Sequence, residues 1–245
     1  MSDQRLITMS DFAAGQKPFS EVLEMLRPGD IGLVRSSHIF GKLIRFGQRL
    51  EDGEISPYNH AFIISVPKDT RLRNTHIDEE GRRLKRPRPA INPRQYYADG
   101  TTAESLWHIC HGELKAYINK PIAIGRHINM NQFRFACGYR EILDNIGQVY
   151  PAHRILLHGI DLLRAYLWRK LIKQQVAWRY SQFGLMDWPV CSELAGQFIN
   201  AAGLKGGWEG GEKWRGLNPD HIWDAWCEHS IKLWMLVFVG VMTKG

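Results

Sequence analysis

Short apolar segments bounded by turn residues recur along the chain and predict strands, while longer segments with apolar residues every three or four positions predict helices. The strand predictions cover 31–35, 58–66, 101–109, 113–118, 121–127 and 231–241. The helix predictions cover 18–26, 37–50, 131–146, 152–175, 191–203 and 221–228. Residues 68–97 fit neither pattern and are predicted to form an exposed excursion rich in proline.

Turn and capping residues set several of these boundaries. Ser20 is predicted to cap the first helix, and Asn218 is predicted to cap the helix that begins near His221. Gly203 is predicted to close the helix that starts at Cys191. The segment 110–112, Cys-His-Gly, is predicted to be the turn of a hairpin.

Composition indicates one large folded domain. The chain has 245 residues, of which 44% are hydrophobic, enough for a substantial core. Its four cysteines are widely spaced and form no disulfide framework, which favours a reducing compartment. No cofactor motif is present, and no close spacing supports a metal site, although Cys110, His111, Cys227 and His229 leave a zinc site open.

The chain carries a formal net charge of +7, concentrated in the segment Lys68–Arg94. This segment holds nine Lys or Arg residues against four acidic ones. Such a segment is typical of contact with an anionic polymer, an anionic lipid surface or nucleic acid, and its alternative is a solvated loop. Nucleic acid is the least favoured of these partners, because no aromatic residues are interleaved for base stacking.

The amino terminus and the longest apolar run bear on location. Residues 1–5 lack the apolar core of a signal peptide, so a cytoplasmic protein is expected. The run Leu233–Met242 contains Gly240 and has about half the length that a membrane span needs, so no transmembrane segment is expected. The oligomeric state is left open by the sequence.

Cys191 follows a proline and a valine and opens a predicted helix. Free backbone N–H groups and the positive end of the helix dipole lie at such a position, and both favour a thiolate. Taken alone, however, a lone cysteine is more often a packing residue than a nucleophile.

Two further polar residues change that balance. His60 stands at the head of a continuous apolar strand, and Glu104 lies inside the next strand among apolar residues. Thiol catalysis needs a thiolate, an imidazole that transfers the proton, and a polar group that orients the imidazole. Cys191, His60 and Glu104 are therefore the candidate catalytic residues.

The order histidine, acid, cysteine is that of a permuted papain-like fold, in which the cysteine normally comes first. The chain resembles the circularly permuted branch of the NlpC-type papain-like cysteine hydrolases, the YiiX/YebB-like group related to lecithin:retinol acyltransferase-like proteins. The matching segments follow one another between residues 28 and 226. They are Pro28–Ile31, Asn59–Ile64, Ala103–Ser105 with Gly112, Gly147–Tyr150, Cys191–Leu194 and Asn218–Ile222.

The resemblance implies an α+β fold in which an antiparallel sheet or partial barrel packs against helices, with the nucleophile at a helix N-terminus. It implies a domain at 28–245 with the basic insert at 68–97, preceded by an N-terminal extension at 1–27. It further implies Cys191 as nucleophile, His60 as general base and Glu104 as the residue that orients the base. The insert and the extra helix at 152–175 depart from the family pattern and leave the substrate open.

Three function classes follow. The first is a cysteine hydrolase that cleaves an amide, in a cell-wall peptide of peptidoglycan, through an acyl thioester, with a lipid acyl hydrolase or acyltransferase as its variant. The second is a catalytically unused scaffold that serves as a structural or binding protein, for instance in a phage virion, which would also provide delivery to the cell envelope. The third and least favoured is nucleic-acid binding through Lys68–Arg94.

Overall fold

The computed structural model describes residues 15–35, 37, 57–66, 101–105, 109–145, 191–208, 217–229 and 232–244. The predicted helix over 37–50, apart from its first residue, lies outside these ranges, as does the predicted helix over 152–175. The basic insert at 68–97 and the motif at 147–150 also lie outside them. The domain boundaries drawn from the sequence stay predictions.

The described strands form one seven-stranded sheet in the order β1-β7-β6-β2-β3-β4-β5. The strands are β1 (Gln16–Pro18), β2 (Ile31–Val34), β3 (His60–Val66), β4 (Thr101–Ser105), β5 (Ile109–Glu113), β6 (Pro121–His127) and β7 (Trp234–Thr243). All neighbouring pairs are antiparallel except β1 and β7. The expected α+β class with a mostly antiparallel sheet is therefore confirmed at this level.

Four α-helices are described, of which the first, third and fourth contact strands of the sheet and the second packs on the third. They are α1 (Phe19–Met25), α2 (Gln132–Asn145), α3 (Cys191–Ala201) and α4 (Pro219–Glu228), and a short 3₁₀ helix covers Leu114–Tyr117. α1 and β1 belong to the region predicted as an N-terminal extension, and they join the sheet through β7. Among the described residues, no helix combines the length and apolar character needed to cross a membrane.

Side-chain alternation divides the apolar residues of the central strands between two cores. Leu33, Ala61 and Ile63 face a core that includes Leu194 and Phe198 of α3. Val34 and Phe62, one residue removed along the same strands, face a second core that includes α1 and the 3₁₀ helix. The central strands are thus apolar on both faces, which explains their continuous apolar sequence.

The capping predictions for α3 and α4 are confirmed. Gly203 adopts φ +66°, and its N–H and that of Leu204 donate to the carbonyls of Asn200 and Ile199, which closes α3 with a Schellman motif. The Asn218 side chain accepts the N–H of His221 at 2.8 Å, and the His221 ring accepts the N–H of Asn218, so the two residues form a reciprocal capping box.

Three local predictions are wrong. Pro18, and not Ser20, precedes α1, and no side chain caps that helix. The fixed φ of Pro18 suits the start of a helix, so the helix begins earlier than predicted and Ser20 lies in its first turn. The segment 110–112 lies inside β5 instead of forming the hairpin turn, because Glu104 pairs with Cys110 and Thr101 pairs with Glu113. Residues 114–117 form a 3₁₀ turn and not a strand.

A buried ion pair connects the start of β2 to β6. The Arg126 guanidinium donates to both carboxylate oxygens of Asp30, at 2.7 and 2.8 Å, and to the Met25 carbonyl at 2.7 Å. The Arg27 N–H also donates to Asp30. Burial nevertheless raises the pKa of the Asp30 carboxyl, so Arg126 and Arg27 compensate only part of the cost of burying this charge.

Candidate functional site

Cys191 is the first residue of α3, and its side chain is only 5% exposed. α3 packs against β3. The described pairing of β3 with β4 begins at Phe62, one residue after Ala61, which contacts the cysteine. The backbone N–H groups of Ala61 and Ser192 both donate to the Cys191 sulfur. The sulfur therefore lies where a helix N-terminus meets the start of a central strand, as the sequence predicts.

His60 is the first residue of β3, and its side chain is 8% exposed. Its ring forms a hydrogen bond with the Cys191 thiol, so the structure brings together two candidate residues that are far apart in the chain. His60 also pairs with Val34 of β2, and β2 is in turn paired with β6, so the imidazole is carried by the middle of the sheet. A side chain on such a rigid element is held in a defined position.

The electrostatics of the pair favour a thiolate. Burial is the largest single influence and raises the pKa of the Cys191 thiol, whereas the charge of His60 and its hydrogen bond lower it. The N–H groups of Ala61 and Ser192 add to this effect, and the resulting pKa of Cys191 lies below its ordinary value. A cysteine deprotonated by a neighbouring imidazole is an activated nucleophile.

Cys227 on α4 shows the opposite behaviour in the same protein. Burial raises the pKa of the Cys227 thiol to about 11, and the carboxylates of Asp224, Glu228 and Asp220 add to that increase. Partial burial without a cationic partner thus keeps a thiol protonated. Cys191 has the His60 imidazole and two backbone N–H donors beside its sulfur, whereas Cys227 has nearby carboxylates.

The residues after Cys191 anchor the start of α3. The Ser192 hydroxyl donates to the Leu217 carbonyl, which connects the helix to the segment just before the Asn218 cap of α4. Ser192 and Glu193 are both buried. The Ser192 hydrogen bond thus holds the start of α3 against the segment that precedes α4.

Glu104, the third predicted residue, lies in β4 as the backbone partner of Phe62. Phe62 is two residues along β3 from His60, so Glu104 occupies a strand position adjacent to the histidine. The Glu104 side chain lies outside the described residues, so its orienting role stays a prediction.

Tyr117 is the residue near the pair that the sequence did not identify. Its ring centroid lies 6.1 Å from that of His60 and 5.0 Å from that of Phe62, on which it stacks at an interplanar angle of 11°. Because residues 113–118 were predicted to form a strand, Tyr117 was not expected to lie beside His60. The available signal was the spacing of Leu114 and Tyr117, three residues apart and both buried by one 3₁₀ turn.

The donors expected of a metal centre are not gathered here. Within the described ranges, no group of three or more His, Cys, Asp or Glu residues is placed to hold a metal ion. The side chains of Cys110 and His111, two of the four residues that leave a zinc site open in the sequence, lie outside the described residues.

Replacing His60 with alanine is expected to raise the pKa of Cys191, because burial then dominates without the opposing imidazole. Alkylation of Cys191 by iodoacetamide at neutral pH should fall by about tenfold or more, since only the thiolate reacts. Peptide mass spectrometry across a pH series measures this, with Cys227 as an internal control whose rate should not change. An unchanged pH midpoint for Cys191 in the variant would show that His60 does not lower the pKa of the thiol.

Comparison with known proteins gives structural neighbours of low similarity, of which one is described below. No protein-family model matches the sequence, and no curated protein matches it. Among solved structures, the crystal structure of the metalloprotein yiiX from Escherichia coli O157:H7 is similar at a TM-score of 0.42 and 11% sequence identity. The match covers 89% of this chain and 99% of that chain.

Proposed function

We propose that the protein is a cysteine hydrolase that cleaves an amide bond through an acyl-thioester intermediate. Cys191 is the nucleophile, His60 is the general base and acid, and Glu104 orients the imidazole. The observation that carries the proposal is the hydrogen bond between the His60 ring and the Cys191 thiol at the first residue of α3. A lowered thiol pKa is what such a nucleophile requires.

In the first half of the proposed reaction, the Cys191 thiolate attacks the substrate carbonyl carbon and a C–S bond forms. The carbonyl electron pair moves to oxygen, where the backbone N–H of Cys191 at the helix start is a donor for the developing negative charge. The His60 imidazolium then gives its proton to the amide nitrogen as the C–N bond breaks. The amine leaves, and the acyl group stays on Cys191 as a thioester.

In the second half, a water molecule gives a proton to neutral His60 and attacks the thioester carbonyl. The C–S bond breaks, the carboxylic acid leaves, and the Cys191 thiolate and His60 imidazolium are restored. No cofactor takes part in this cycle. Glu104 would act by accepting a hydrogen bond from the ring nitrogen of His60 that does not face the sulfur.

Two features of the sequence favour one substrate class. The resemblance to NlpC-type hydrolases favours a peptide amide in peptidoglycan, and the net charge of +7 suits an anionic envelope polymer. The segment Lys68–Arg94 would make that contact. A lipid acyl ester is the alternative substrate, because the same thioester chemistry applies to an ester carbonyl.

Hydrolysis assays on two substrates test this function. Wild-type protein and its Cys191→Ala variant are incubated with soluble muropeptides and with phosphatidylcholine vesicles, and products are measured by mass spectrometry. New amino and carboxyl termini that depend on Cys191 support the amidase, whereas Cys191-dependent release of fatty acid supports the lipid alternative. Identical product profiles for wild type and variant on both substrates would contradict the hydrolase proposal.

The second candidate is a scaffold that uses this fold for binding and not for catalysis. The observation in its favour is burial, since Cys191 and His60 are 5% and 8% exposed. Wild-type protein that is not labelled by a small thiol-reactive probe under native conditions, but is labelled after denaturation, would favour the scaffold. Protein found at fixed stoichiometry in purified virions would support a structural role.

A further inference from the structure

The His60 ring contacts an aromatic residue as well as the nucleophile. The Tyr117 ring lies 6.1 Å from the imidazole, tilted by 45°. Tyr117 is 6% exposed, so this contact is buried like the Cys191–His60 pair itself. An aromatic ring packed beside an imidazole restricts the rotation of that imidazole.

Several contacts hold the Tyr117 ring in place. It stacks on Phe62, and the Lys120 ammonium lies 5.2 Å from its centroid. The backbone that carries it is fixed as well. The Lys120 N–H donates to the Tyr117 carbonyl, while the N–H of Asn119, a residue with φ +64°, donates to Met242 of β7. These contacts hold Tyr117 beside His60. The ring on which Tyr117 stacks belongs to Phe62, which lies two residues from His60 along β3.

We propose that Tyr117 is a positioning residue that holds the His60 ring toward Cys191, so that the thiolate and imidazolium persist before substrate binds. This inference rests on the proposed function, since it assigns Tyr117 a role in that same site. Tyr117 acts through His60 and does not itself touch the reacting atoms. Phe62 contributes to this positioning, because it stacks on the Tyr117 ring and lies on the same strand as His60.

If Tyr117 served only to pack the core, its replacement would have a different effect on Cys191. A packing residue affects the free energy of unfolding, whereas a positioning residue also moves the pH midpoint of Cys191 alkylation. Tyr139 is a matched control, because it is 7% exposed and stacks on Phe135 at 5.1 Å within the other core. Its replacement should destabilise the protein by a similar amount and leave the Cys191 midpoint unchanged.

The experiment measures iodoacetamide alkylation of Cys191 against pH in wild type, Tyr117→Leu, Tyr117→Phe and Tyr139→Leu, with thermal unfolding of each. Tyr117→Leu removes the ring that restricts His60, so it should raise the midpoint and lower the rate at neutral pH about three- to tenfold. Tyr117→Phe keeps the ring and should retain the wild-type midpoint. Tyr117→Met replaces Tyr117→Leu if the latter does not fold, because its flexible side chain fills the space without a ring.

The outcomes separate the two levels of the proposal. A Cys191 midpoint that is low in the wild type and unchanged in folded Tyr117→Leu or Tyr117→Met would overturn the role of Tyr117 alone. An equal shift in Tyr139→Leu would assign the effect to general loosening and also overturn it. A wild-type midpoint no lower than that of an ordinary thiol would overturn the pairing of the Cys191 thiolate with the His60 imidazolium, and the proposed function with it.

Discussion

Cys191→Ala is expected to abolish labelling by a thiol-reactive activity probe at the active site and to reduce hydrolysis by about 10³-fold or more. The reason is chemical, because alanine has no sulfur to carry the acyl group. The fold should persist, since the side chain is small and the change costs about 1 kcal/mol of packing. Probe labelling, substrate turnover and thermal unfolding measured on the same preparation test this expectation.

Cys137→Ala is the matched control, because Cys137 is a free cysteine on α2, outside the proposed site. It should keep wild-type turnover and active-site labelling. Cys191→Ser adds a second comparison, since the serine hydroxyl does not ionise as a thiol does and should leave only residual activity. Equal turnover by wild type and folded Cys191→Ala would remove Cys191 from the mechanism.

Arg126→Met is expected to have the largest effect on stability and to lower the free energy of unfolding by about 3–5 kcal/mol. The Asp30 side chain is 1% exposed and that of Arg126 is 12% exposed, so removal of the guanidinium leaves a buried carboxylate without its cation. The Met25 carbonyl loses a hydrogen bond as well. Urea unfolding at neutral pH measures the change.

The double variant Asp30→Asn/Arg126→Met separates the loss of the ion pair from the loss of packing. Asparagine removes the charge and still accepts a hydrogen bond from the Arg27 N–H, so the double variant should be more stable than Arg126→Met alone. The sign of this difference follows from the burial that raises the pKa of Asp30. A double variant less stable than Arg126→Met would show that the charge of Asp30 is not the source of the cost.

The predictions that the structure confirms are those that depend on a few adjacent residues. The apolar runs that became β2, β3 and β6 need no information from elsewhere in the chain, since each is buried on both faces. The same holds for Gly203 and Asn218, where a positive φ or a side-chain acceptor determines a helix end. These predictions are confirmed because local chemistry and the tertiary structure agree there.

The predictions that failed depend on strand register and on packing from distant segments. The placement of Cys110, His111 and Gly112 inside β5 is set by pairing with β4, which the local turn pattern does not contain. The 3₁₀ turn at Leu114–Tyr117 is selected because both residues enter the core that faces α1. Tyr117 was missed for this reason, although it contacts His60 directly.

The meeting of Cys191 and His60 was expected from the needs of thiol catalysis together with a family resemblance, since no local pattern brings the two residues together. Each residue alone has a common packing role, and only the order of the motifs placed them in one site. In the structure, the hydrogen bond between them results from α3 packing its first turn against the start of β3. The candidate pair could thus be predicted, whereas the position of the Glu104 side chain and the substrate could not.

The most direct test of the central claim is to trap the acyl group on Cys191. Wild-type protein mixed with a cleaved amide substrate is quenched in acid during turnover, digested and measured by mass spectrometry. We predict that the peptide containing Cys191 gains the mass of the substrate acyl group, that neutral hydroxylamine removes it, and that Cys191→Ala shows no adduct. Substrate turnover with no adduct on Cys191, or with the same adduct on another residue, would contradict the acyl-thioester mechanism.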